Sequence, residues 1–373
     1  MKILHIITSL GNGGAEGVLY RLITNDLENE HLVISLRDKG KYAPLLVEKG
    51  IAVKCLNMQP GKPSLKPIFT LYRVIKKAKP DIVQTWMYHA DLLGGIVAKA
   101  AGIKKVYWNI RHSDFDSQHT KSSTIKVAKA CALISDIIPN TIISCSQVGV
   151  VAHSEMGYSQ EKMVVIGNGY DLNILTINEQ ARQNIRKELG IGKYPVLGMV
   201  GRYNPQKNHK GLIEALSIVF NKGYKFEVLL VGKGLNKHNS ELCQIIHYYN
   251  LENNIHLLDQ RTDIPDIMNA LDIHILSSSY GEGFPNVIAE AMACGTPCIA
   301  TDVGDSRVVV DRFGKIVNPG DTEHLANAII EYIEKLENSP ESWLHLRKEG
   351  SNFIKSNFSI QSMVSNYNTV WQT

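Results

Sequence analysis

The sequence lacks three features that would each point to a particular class of protein. Its six cysteines are scattered, with no CxxC pair and no zinc-ligand spacing. This pattern indicates reduced thiols in a cytosolic protein and argues against metal binding through sulfur. No apolar run reaches the roughly 18 residues that a membrane-spanning helix needs. The N-terminal "MKILHIITSL" leads into glycines rather than a small-residue cleavage site, so a first strand is expected there instead of a signal peptide.

The chain also lacks a strong charge of either sign. A net charge of +4 over 373 residues is too small to favour a nucleic-acid partner, although one basic face would suit phosphates or an anionic membrane. With 44% hydrophobic and 20% charged residues, the composition is that of a soluble globular protein. The length exceeds what one hydrophobic core usually reaches, so two domains are expected.

Short β-rich runs alternate with segments of helical length in both halves of the chain. This alternation predicts parallel βαβ units, and therefore an α/β protein with two doubly wound, Rossmann-like domains. A polar helix pattern over 176–194 places the boundary after "MVVIGNGYD", which gives domains 1–172 and 173–355. The remaining segment, 356–373, predicts a helix that returns to the first domain, because its apolar residues fall on one stripe: Ile360, Met363, Val364, Tyr367, Val370 and Trp371.

Ligands of open parallel sheets bind beyond the carboxyl ends of the strands, so the loops after strands are the places to search. In "SLGNGGAEG", Gly13 and Gly14 allow the backbone to approach an anion at a helix start, although a tight turn without a ligand is the alternative. In "VGRYNPQKNHKG", Arg202 and Lys207 suit a diphosphate. Solvated surface charge is the other interpretation of this pair.

The stretch "GEGFPNVIAEAMACGTP" places two glutamates around a predicted helix start. With Pro285 as the first helical residue, Glu290 shares one face with Asn286, Ala293 and Cys294, while Glu282 lies in the preceding loop. Two carboxylates at most roughly 12 Å apart suit hydroxyl groups at two ends of an elongated ligand.

The free amides at the start of the same helix, near Phe284, Asn286 and Val287, suit a phosphate group. Glycoside hydrolysis is an alternative for the paired glutamates, but it requires both carboxylates near one atom. A helix-start glutamate beside an ordinary surface glutamate is the structural alternative.

Two histidines follow strands of the first half and so are candidates for the same edge of the sheet. His89 lies in "TWMYHADLLG", and His112 lies in "NIRHSD" beside Arg111. Each histidine is otherwise a helix cap or a polar residue with internal partners.

These motifs together resemble the retaining glycosyltransferases of family 4, which have the GT-B fold, two Rossmann-like domains facing a central cleft. The resemblance covers nearly the whole chain. It is carried by the following motifs: "GGAE" at 13–16, "NIRHSD" at 109–114, "GNGYD" at 167–171, "GRYNPQKNH" at 201–209 and the E-x7-E pair at 282–290. "TDVGDSR" departs from the usual pattern, which leaves Asp305 and Arg307 without a role.

The resemblance implies a role for each matching residue. Glu290 would hold the nucleotide ribose, Glu282 the donor sugar hydroxyls, and Arg202 and Lys207 the departing diphosphate, with His112 near the reacting sugar. The remaining assignments form two sets. The donor-binding set is Gly13, Gly14, Gly283, Phe284, Pro285, Asn286, Val287 and Glu290, and the acceptor-side set is Glu16, His89 and Arg111.

The expected activity is retaining, metal-independent transfer of a hexosyl group, with no cofactor, from a UDP- or GDP-sugar to a hydroxyl of a glycan or lipid-linked glycan. Bacterial surface polysaccharide synthesis, such as that of capsule or lipopolysaccharide, is the expected context. The alternatives are a nucleotide-sugar epimerase or dehydrogenase, which should carry GxGxxG and Tyr-x3-Lys, and a non-catalytic nucleotide-sugar sensor. The expected location is cytoplasmic, with basic segments either solvated or lying on the inner face of an anionic membrane: Arg73, Lys76, Lys77 and Lys79, then Lys121, Lys126 and Lys129.

Overall fold

The protein is represented by a computed structural model that describes residues 1–59, 65–113, 115 and 120–373. The chain folds as two compact units. Unit 1 comprises Met1–Gly169 and Ile360–Thr373, and unit 2 comprises Tyr170–Ser359. The expected domain limits, 172/173 and 355/356, lie a few residues from these divisions.

Unit 1 is built on a seven-stranded parallel sheet with the order β3-β2-β1-β4-β5-β6-β7. Five of its strands are rich in Val, Ile and aromatic residues and are buried along most of their length, as expected for a sheet covered on both faces. The strands are β1 (Lys2–Ile7), β2 (Glu30–Ser35), β3 (Ala52–Cys55), β4 (Ile82–Trp86), β5 (Lys105–Ile110), β6 (Thr141–Ser144) and β7 (Met163–Val165).

Helices cover both faces of this sheet and form two hydrophobic cores. The core that includes Leu19 and Leu46 joins α1 (Gly14–Asn25), α2 (Tyr42–Glu48) and α15 (Ile360–Gln372). The core that includes Leu71 and Val97 joins α3 (Leu65–Ala78), α4 (Tyr88–Ala100) and α5 (Ser122–Leu133). The sixth helix, α6 (Gln147–Glu155), lies between β6 and β7 in sequence.

The last helix, α15, is part of unit 1 and is held there by polar as well as apolar contacts. Trp371 and Tyr367 are fully buried. The Trp371 indole donates to Gln84 Oε1 of β4 at 3.0 Å, and Asn109 of β5 donates to the Tyr367 hydroxyl at 2.6 Å. Because buried indole and phenol groups need such partners, the two bonds fix the position of α15 on the sheet.

Unit 2 contains a six-stranded parallel sheet with the order β10-β9-β8-β11-β12-β13. Its strands are β8 (Val196–Val200), β9 (Glu227–Val231), β10 (Ile255–Leu257), β11 (Ile273–Leu276), β12 (Cys298–Thr301) and β13 (Lys315–Val317). Its helices are α7 (Glu179–Glu188), α8 (His209–Asn221), α9 (Ser240–Tyr248), α10 (Ile264–Ala270), α11 (Asn286–Ala293), α12 (Ser306–Val310), α13 (Thr322–Asn338) and α14 (Pro340–Asn357).

The fold confirms the prediction of two doubly wound α/β domains. Eleven strands follow the β-rich runs of the sequence, whereas β7 and β13 have only three residues each and give no distinguishable pattern. Among the helices of the described residues, none is long and apolar enough to cross a lipid bilayer.

Candidate active site

The strand order of unit 2 places two of the motif-bearing loops side by side. Strands β8 and β11 are neighbours, and the connection after β8 runs toward β9 while the connection after β11 runs in the opposite direction, toward β12. Such a topological switch point opens a crevice at the carboxyl ends of the strands. The loop after β8 carries Arg202 and Lys207, and the loop after β11 carries Glu282.

An ion pair joins these two loops. Lys207 Nζ lies 2.6 Å from Glu282 Oε1, and the Ser278 hydroxyl donates to the same oxygen at 2.6 Å. Both partners of the pair are mostly buried, with side-chain exposures of 14% and 11%. The structure therefore brings together two residues that the sequence separates by 75 positions, and Ser278 is a partner that sequence analysis missed.

Further hydrogen bonds fix the two loops to each other. Ser279 N donates to Gln206 O at 2.8 Å, and Gln206 Nε2 donates to Gly281 O at 2.8 Å. The Ser277 hydroxyl donates to Lys207 O at 2.9 Å. Because backbone groups carry most of these bonds, the loops hold Lys207 and Glu282 in place before any ligand arrives.

A third loop, which follows β12, closes against Glu282. Gly304 has φ +60°, and a Cβ atom at this position would lie 2.2 Å from the Glu282 carbonyl oxygen. Asp305 N donates to Gly283 O at 2.8 Å. Only glycine fits this left-handed position without a backbone shift, so the "TDVGDSR" loop positions the Glu282 loop.

Helix α11 places Asn286 and Glu290 on its half-buried face. Tyr170 donates through its hydroxyl to Asn286 Oδ1 at 2.5 Å, and Phe284 is buried against Phe358, with ring centroids 5.2 Å apart. Gly283 and Val287 are half-buried beside them.

Two details of the predicted α11 geometry are wrong. Pro285 is the N-cap rather than the first helical residue, since its ψ of 90° is extended. Ala293 and Cys294 are fully buried instead of accompanying Glu290 on an accessible face. Ser351 of α14 donates to Ala293 O at 2.8 Å, which shows that α14 covers this end of the helix.

Arg202 differs from Lys207 in its surroundings. Its side chain is exposed, and it makes no hydrogen bond or ion pair with other residues in the described ranges. A guanidinium with this freedom is available to a ligand phosphate.

Two buried histidines lie close to Lys207 and were missed by sequence analysis. His209 and His274 are 2% and 0% exposed. Neither ring nitrogen of His209, nor Nε2 of His274, has a hydrogen-bond partner within the part of the chain that the structure describes. Burial first, and then the positive charge of Lys207, lower the pKa of His209 to about 4 and that of His274 to about 3. Both rings are therefore neutral near neutral pH.

In unit 1 the strand order of the sheet places the topological switch point between β1 and β4. The loop after β1 leads to Gly13, the N-cap of α1, and to Gly14, its first residue. Glu16 is buried and folds back over this helix start, where the Ser9 hydroxyl donates to its Oε1 at 3.3 Å. A carboxylate there interacts favourably with the helix dipole, so a phosphate approaching Gly13 and Gly14 would meet a negative charge.

The loop after β4 contains backbone strain that the sequence does not reveal. Met87 has φ 70° and ψ 152°, a region that residues with side chains rarely occupy, at a cost of about 1–3 kcal/mol. His89 follows at the second residue of α4 and is exposed. Strain of this kind often marks a functional site, which makes the β4 loop a further candidate in unit 1.

His112 and Arg111 follow β5 and have well-defined partners. His112 Nε2 lies 3.2 Å from the Thr120 hydroxyl oxygen, and the centroid of its ring lies 5.8 Å from that of the Phe115 ring. Arg111 donates to Asn168 Oδ1 at 2.6 Å and to the Tyr367 hydroxyl at 2.7 Å, so it anchors α15. Asp114, the last residue of "NIRHSD", lies outside the described residues.

No group of three or more His, Cys, Asp or Glu side chains suited to a metal ion occurs within residues 1–59, 65–113, 115 and 120–373. At the switch point of unit 2, Lys207, Arg202 and the backbone amides at the start of α11 are groups that suit a diphosphate.

Sequence comparisons agree with the division of the chain into unit 1 and unit 2. A family described as Glycosyltransferase Family 4 matches residues 12–174, and one described as Glycosyl transferases group 1 matches residues 181–349. A galactosyltransferase of Escherichia coli, UDP-Gal:alpha-D-GlcNAc-diphosphoundecaprenol alpha-1,3-galactosyltransferase, is 30% identical over 276 residues, which cover 71% of this chain and 70% of that enzyme. This chain belongs to glycosyltransferase family 4.

Two more similarities extend the evidence for this family 4 glycosyltransferase. The capsular polysaccharide biosynthesis glycosyltransferase CapM of Staphylococcus aureus is 28% identical over 324 residues, covering 82% of this chain and 81% of CapM. The crystal structure of Anabaena HepE in complex with UDP superposes with a TM-score of 0.87 at 25% identity over the full length of both chains. The two units have the GT-B fold, and these similarities do not favour an epimerase, a dehydrogenase or a non-catalytic sensor.

Proposed function

We propose that this glycosyltransferase moves a hexosyl group from a UDP-sugar to a hydroxyl of a lipid-linked glycan during synthesis of a bacterial surface polysaccharide. The ion pair between Lys207 and Glu282 at the switch point of unit 2 carries the proposal, because it combines a cation for phosphate with a carboxylate for sugar hydroxyls. The substrate classes follow the activities of the similar proteins from E. coli and S. aureus and the UDP bound to HepE. A GDP-sugar is the second donor class to test.

In the proposed donor complex, the diphosphate recruits Lys207 and Arg202. Glu282, relieved of part of its ion pair, accepts a hydrogen bond from a donor sugar hydroxyl, and Glu290 accepts one from the ribose. The amides at the start of α11, at Asn286 and Val287, lie where a helix attracts phosphate oxygens. Gly283, Phe284 and Pro285 shape the loop between the two glutamates.

We propose that the reaction retains the anomeric configuration. The bond between the sugar C1 and the phosphate oxygen breaks, the acceptor oxygen bonds to C1 on the same face, and the acceptor proton passes to the departing phosphate oxygen. Lys207 and Arg202 stabilise the negative charge that builds up on the diphosphate. An NMR spectrum of the product tests this proposal, since an inverted anomeric centre would overturn it.

We further propose that transfer does not require a metal ion. Lys207, Arg202 and the α11 amides supply positive potential at the diphosphate, which is the role that a divalent cation plays in other transferases. Turnover is therefore expected to be the same with EDTA as with added Mg²⁺ or Mn²⁺. A loss of turnover in EDTA that Mn²⁺ restores would contradict metal independence.

We assign His112 to the reacting sugar, and Glu16 and His89 to contacts with the acceptor. Arg111 remains an acceptor-side candidate, although its hydrogen bonds to Asn168 and Tyr367 already give it a structural function. His112→Asn should lower turnover more than donor affinity if it contacts the reacting group, whereas a pure loss of UDP binding would argue against this placement.

We also propose that α3 makes peripheral contact with the inner face of the cytoplasmic membrane. Leu65, Phe69 and Tyr72 are exposed at helical spacing, with exposed Lys66, Arg73, Lys76 and Lys77 beside them and no acidic residue in the helix. A basic helix with exposed aromatic residues suits anionic lipids. Sedimentation with phosphatidylglycerol vesicles should fall in Phe69→Asp and at high salt. Equal sedimentation with neutral phosphatidylcholine vesicles would contradict the proposal.

The function itself is tested by turnover with UDP-glucose, UDP-galactose, UDP-N-acetylglucosamine and GDP-mannose, each with a polyprenyl-diphosphate-linked sugar as acceptor. Transfer from one UDP-sugar with a new glycosidic bond in the product is the expected result. Donor binding without transfer to any hydroxyl acceptor would favour the non-catalytic alternative.

A further inference from the structure

A large groove in unit 1 has no role in the proposed chemistry at the donor site. It has a volume of about 910 Å³, within the range of about 300–1,000 Å³ that is typical of ligand pockets. Ala132 and Leu133 of α5 form one wall, and Ala152 of α6 forms the other together with Met156, which directly follows that helix. Phe115, in the loop after β5, lines the groove as well.

The walls of this α5–α6 groove are apolar and accessible. Leu133 is 84% exposed, an unusual state for a leucine at the end of a helix that buries its other face. Val148 and Val151 are exposed on α6. Val148 lies four residues before Ala152, and Val151 directly precedes it. An exposed apolar groove with polar residues in its lining commonly marks a binding site.

The charges around the groove favour an anionic ligand. Lys129 lines it, and Lys126 lies one helical turn earlier on α5. Helix α5 itself contains no acidic residue. Glu155 of α6 also lines the groove and is the one carboxylate among its lining residues in the described part of the chain. The ligand should therefore combine an apolar chain with a negatively charged group placed toward α5.

Phe115 connects the groove to the loop that carries His112. The rings of Phe115 and His112 have centroids 5.8 Å apart. Ser113, which lies between these two residues in sequence, is buried and also lines the groove. A ligand whose chain lies between α5 and α6 thus has one end near the loop after β5. This loop carries His112, which we assign to the reacting sugar, and Arg111, an acceptor-side candidate.

We infer that the α5–α6 groove binds the isoprenoid chain of a polyprenyl diphosphate-linked acceptor, with Lys129 and Lys126 facing its diphosphate. The inference rests on the proposed function for the identity of the substrate, but the groove itself is independent of the donor site. Apolar side chains on both walls match the branched hydrocarbon, and the lysines match the two phosphate groups. The groove thereby selects a lipid-linked acceptor over a free sugar.

Binding of farnesyl diphosphate, measured by calorimetry beside inorganic pyrophosphate and farnesol, tests this inference without any need for turnover. Wild type should bind farnesyl diphosphate more tightly than pyrophosphate. Leu133→Asp should weaken farnesyl diphosphate by about tenfold or more, and should weaken it much more than pyrophosphate, which lacks the hydrocarbon chain. With the donor site saturated by UDP, Lys129→Glu should weaken both. Leu344→Asp and Lys348→Glu, two changes at exposed positions of α14 in unit 2, are the matched controls and should change neither.

Two readouts separate this inference from the proposed function. UDP affinity should be the same in all four variants, and KM for a lipid-linked acceptor should rise in Leu133→Asp while KM for a short-chain acceptor stays constant. Equal binding of farnesyl diphosphate by wild type, Leu133→Asp and Leu344→Asp would overturn the groove inference, even with transferase activity intact. Groove binding that persists in a protein unable to use any lipid-linked acceptor would support the groove and contradict the proposed acceptor. A Leu133→Asp variant that loses only binding to phosphatidylglycerol vesicles would also overturn the groove inference, in favour of a surface contact with lipid.

Discussion

The carboxyl group of Asp91 provides a quantitative test of the unit 1 structure. Asp91 lies in the first turn of α4 and is completely buried. The Thr85 hydroxyl donates to its Oδ1 at 2.5 Å, but Oδ2 has no partner within the described residues. Burial raises the pKa of Asp91 from its usual 3.8 to about 7, although the Thr85 hydrogen bond favours the ionised form.

This pKa predicts how stability depends on pH. Folded protein holds the Asp91 proton more tightly than unfolded protein, so unfolding releases a proton, and rising pH favours the unfolded state. The stabilising effect is present below about pH 4 and is lost as the pH rises to about 7. A pKa difference of about three, at about 1.4 kcal/mol per pKa unit, makes the loss about 4 kcal/mol.

Asp91→Asn removes this titration while it keeps the shape of the side chain. The free energy of unfolding of the variant, relative to wild type, should therefore increase by about 4 kcal/mol between about pH 4 and about pH 8. Urea unfolding at several pH values measures the difference. Asp136→Asn, a change at an exposed position, is the control and should run parallel to wild type. Parallel profiles for Asp91→Asn as well would refute the claim that this carboxyl is protonated in the folded protein.

Two further predictions concern the donor site. Lys207→Ala should lower turnover by about 10²–10³-fold, as loss of an oxyanion-stabilising group does. The same change at its exposed neighbour, Lys210→Ala, should alter turnover little. A loss below about threefold in Lys207→Ala would contradict the diphosphate assignment. Gly304→Ala should both destabilise unit 2 and weaken UDP binding, because the new Cβ meets the Glu282 carbonyl oxygen. Gly190 has a similar positive φ, but no atom lies near the position of an added Cβ. Gly190→Ala should therefore cost only about 1–2 kcal/mol in unfolding free energy and leave UDP binding unchanged. Equal effects of the two glycine changes on UDP affinity would refute the role of the Gly304 loop.

Sequence periodicity predicted all strands except the short β7 and β13, because buried parallel strands require continuous apolar runs between helices of regular length. It also located the loops that carry Lys207 and Glu282, since chemistry in such sheets collects at the carboxyl ends of strands. Strand order was not readable from these patterns. The pairing of Lys207 with Glu282 became visible only when β8 and β11 were found to be neighbours.

Other parts of the candidate site depend on contacts that a sequence does not encode locally. Ser278 belongs to a run of three serines, and only tertiary structure shows which one reaches Glu282. Gly304 resembles any turn glycine until the Glu282 carbonyl is placed against it. His209 and His274 resemble ordinary polar residues, and their burial beside Lys207 follows from the packing of α8 and β11, two elements that are distant in sequence.

Calorimetric binding of UDP, GDP, ADP and dTDP to wild type and to Glu290→Ala tests the central claim most directly. UDP should bind wild type, and Glu290→Ala should weaken it by about 10- to 100-fold, because one charge-assisted hydrogen bond to the ribose is lost. Glu337→Ala, a change at an exposed position of α13, should bind UDP as wild type does. If UDP does not bind, or binds Glu290→Ala as tightly as wild type, the carboxyl ends of the unit 2 strands are not the donor site that we describe.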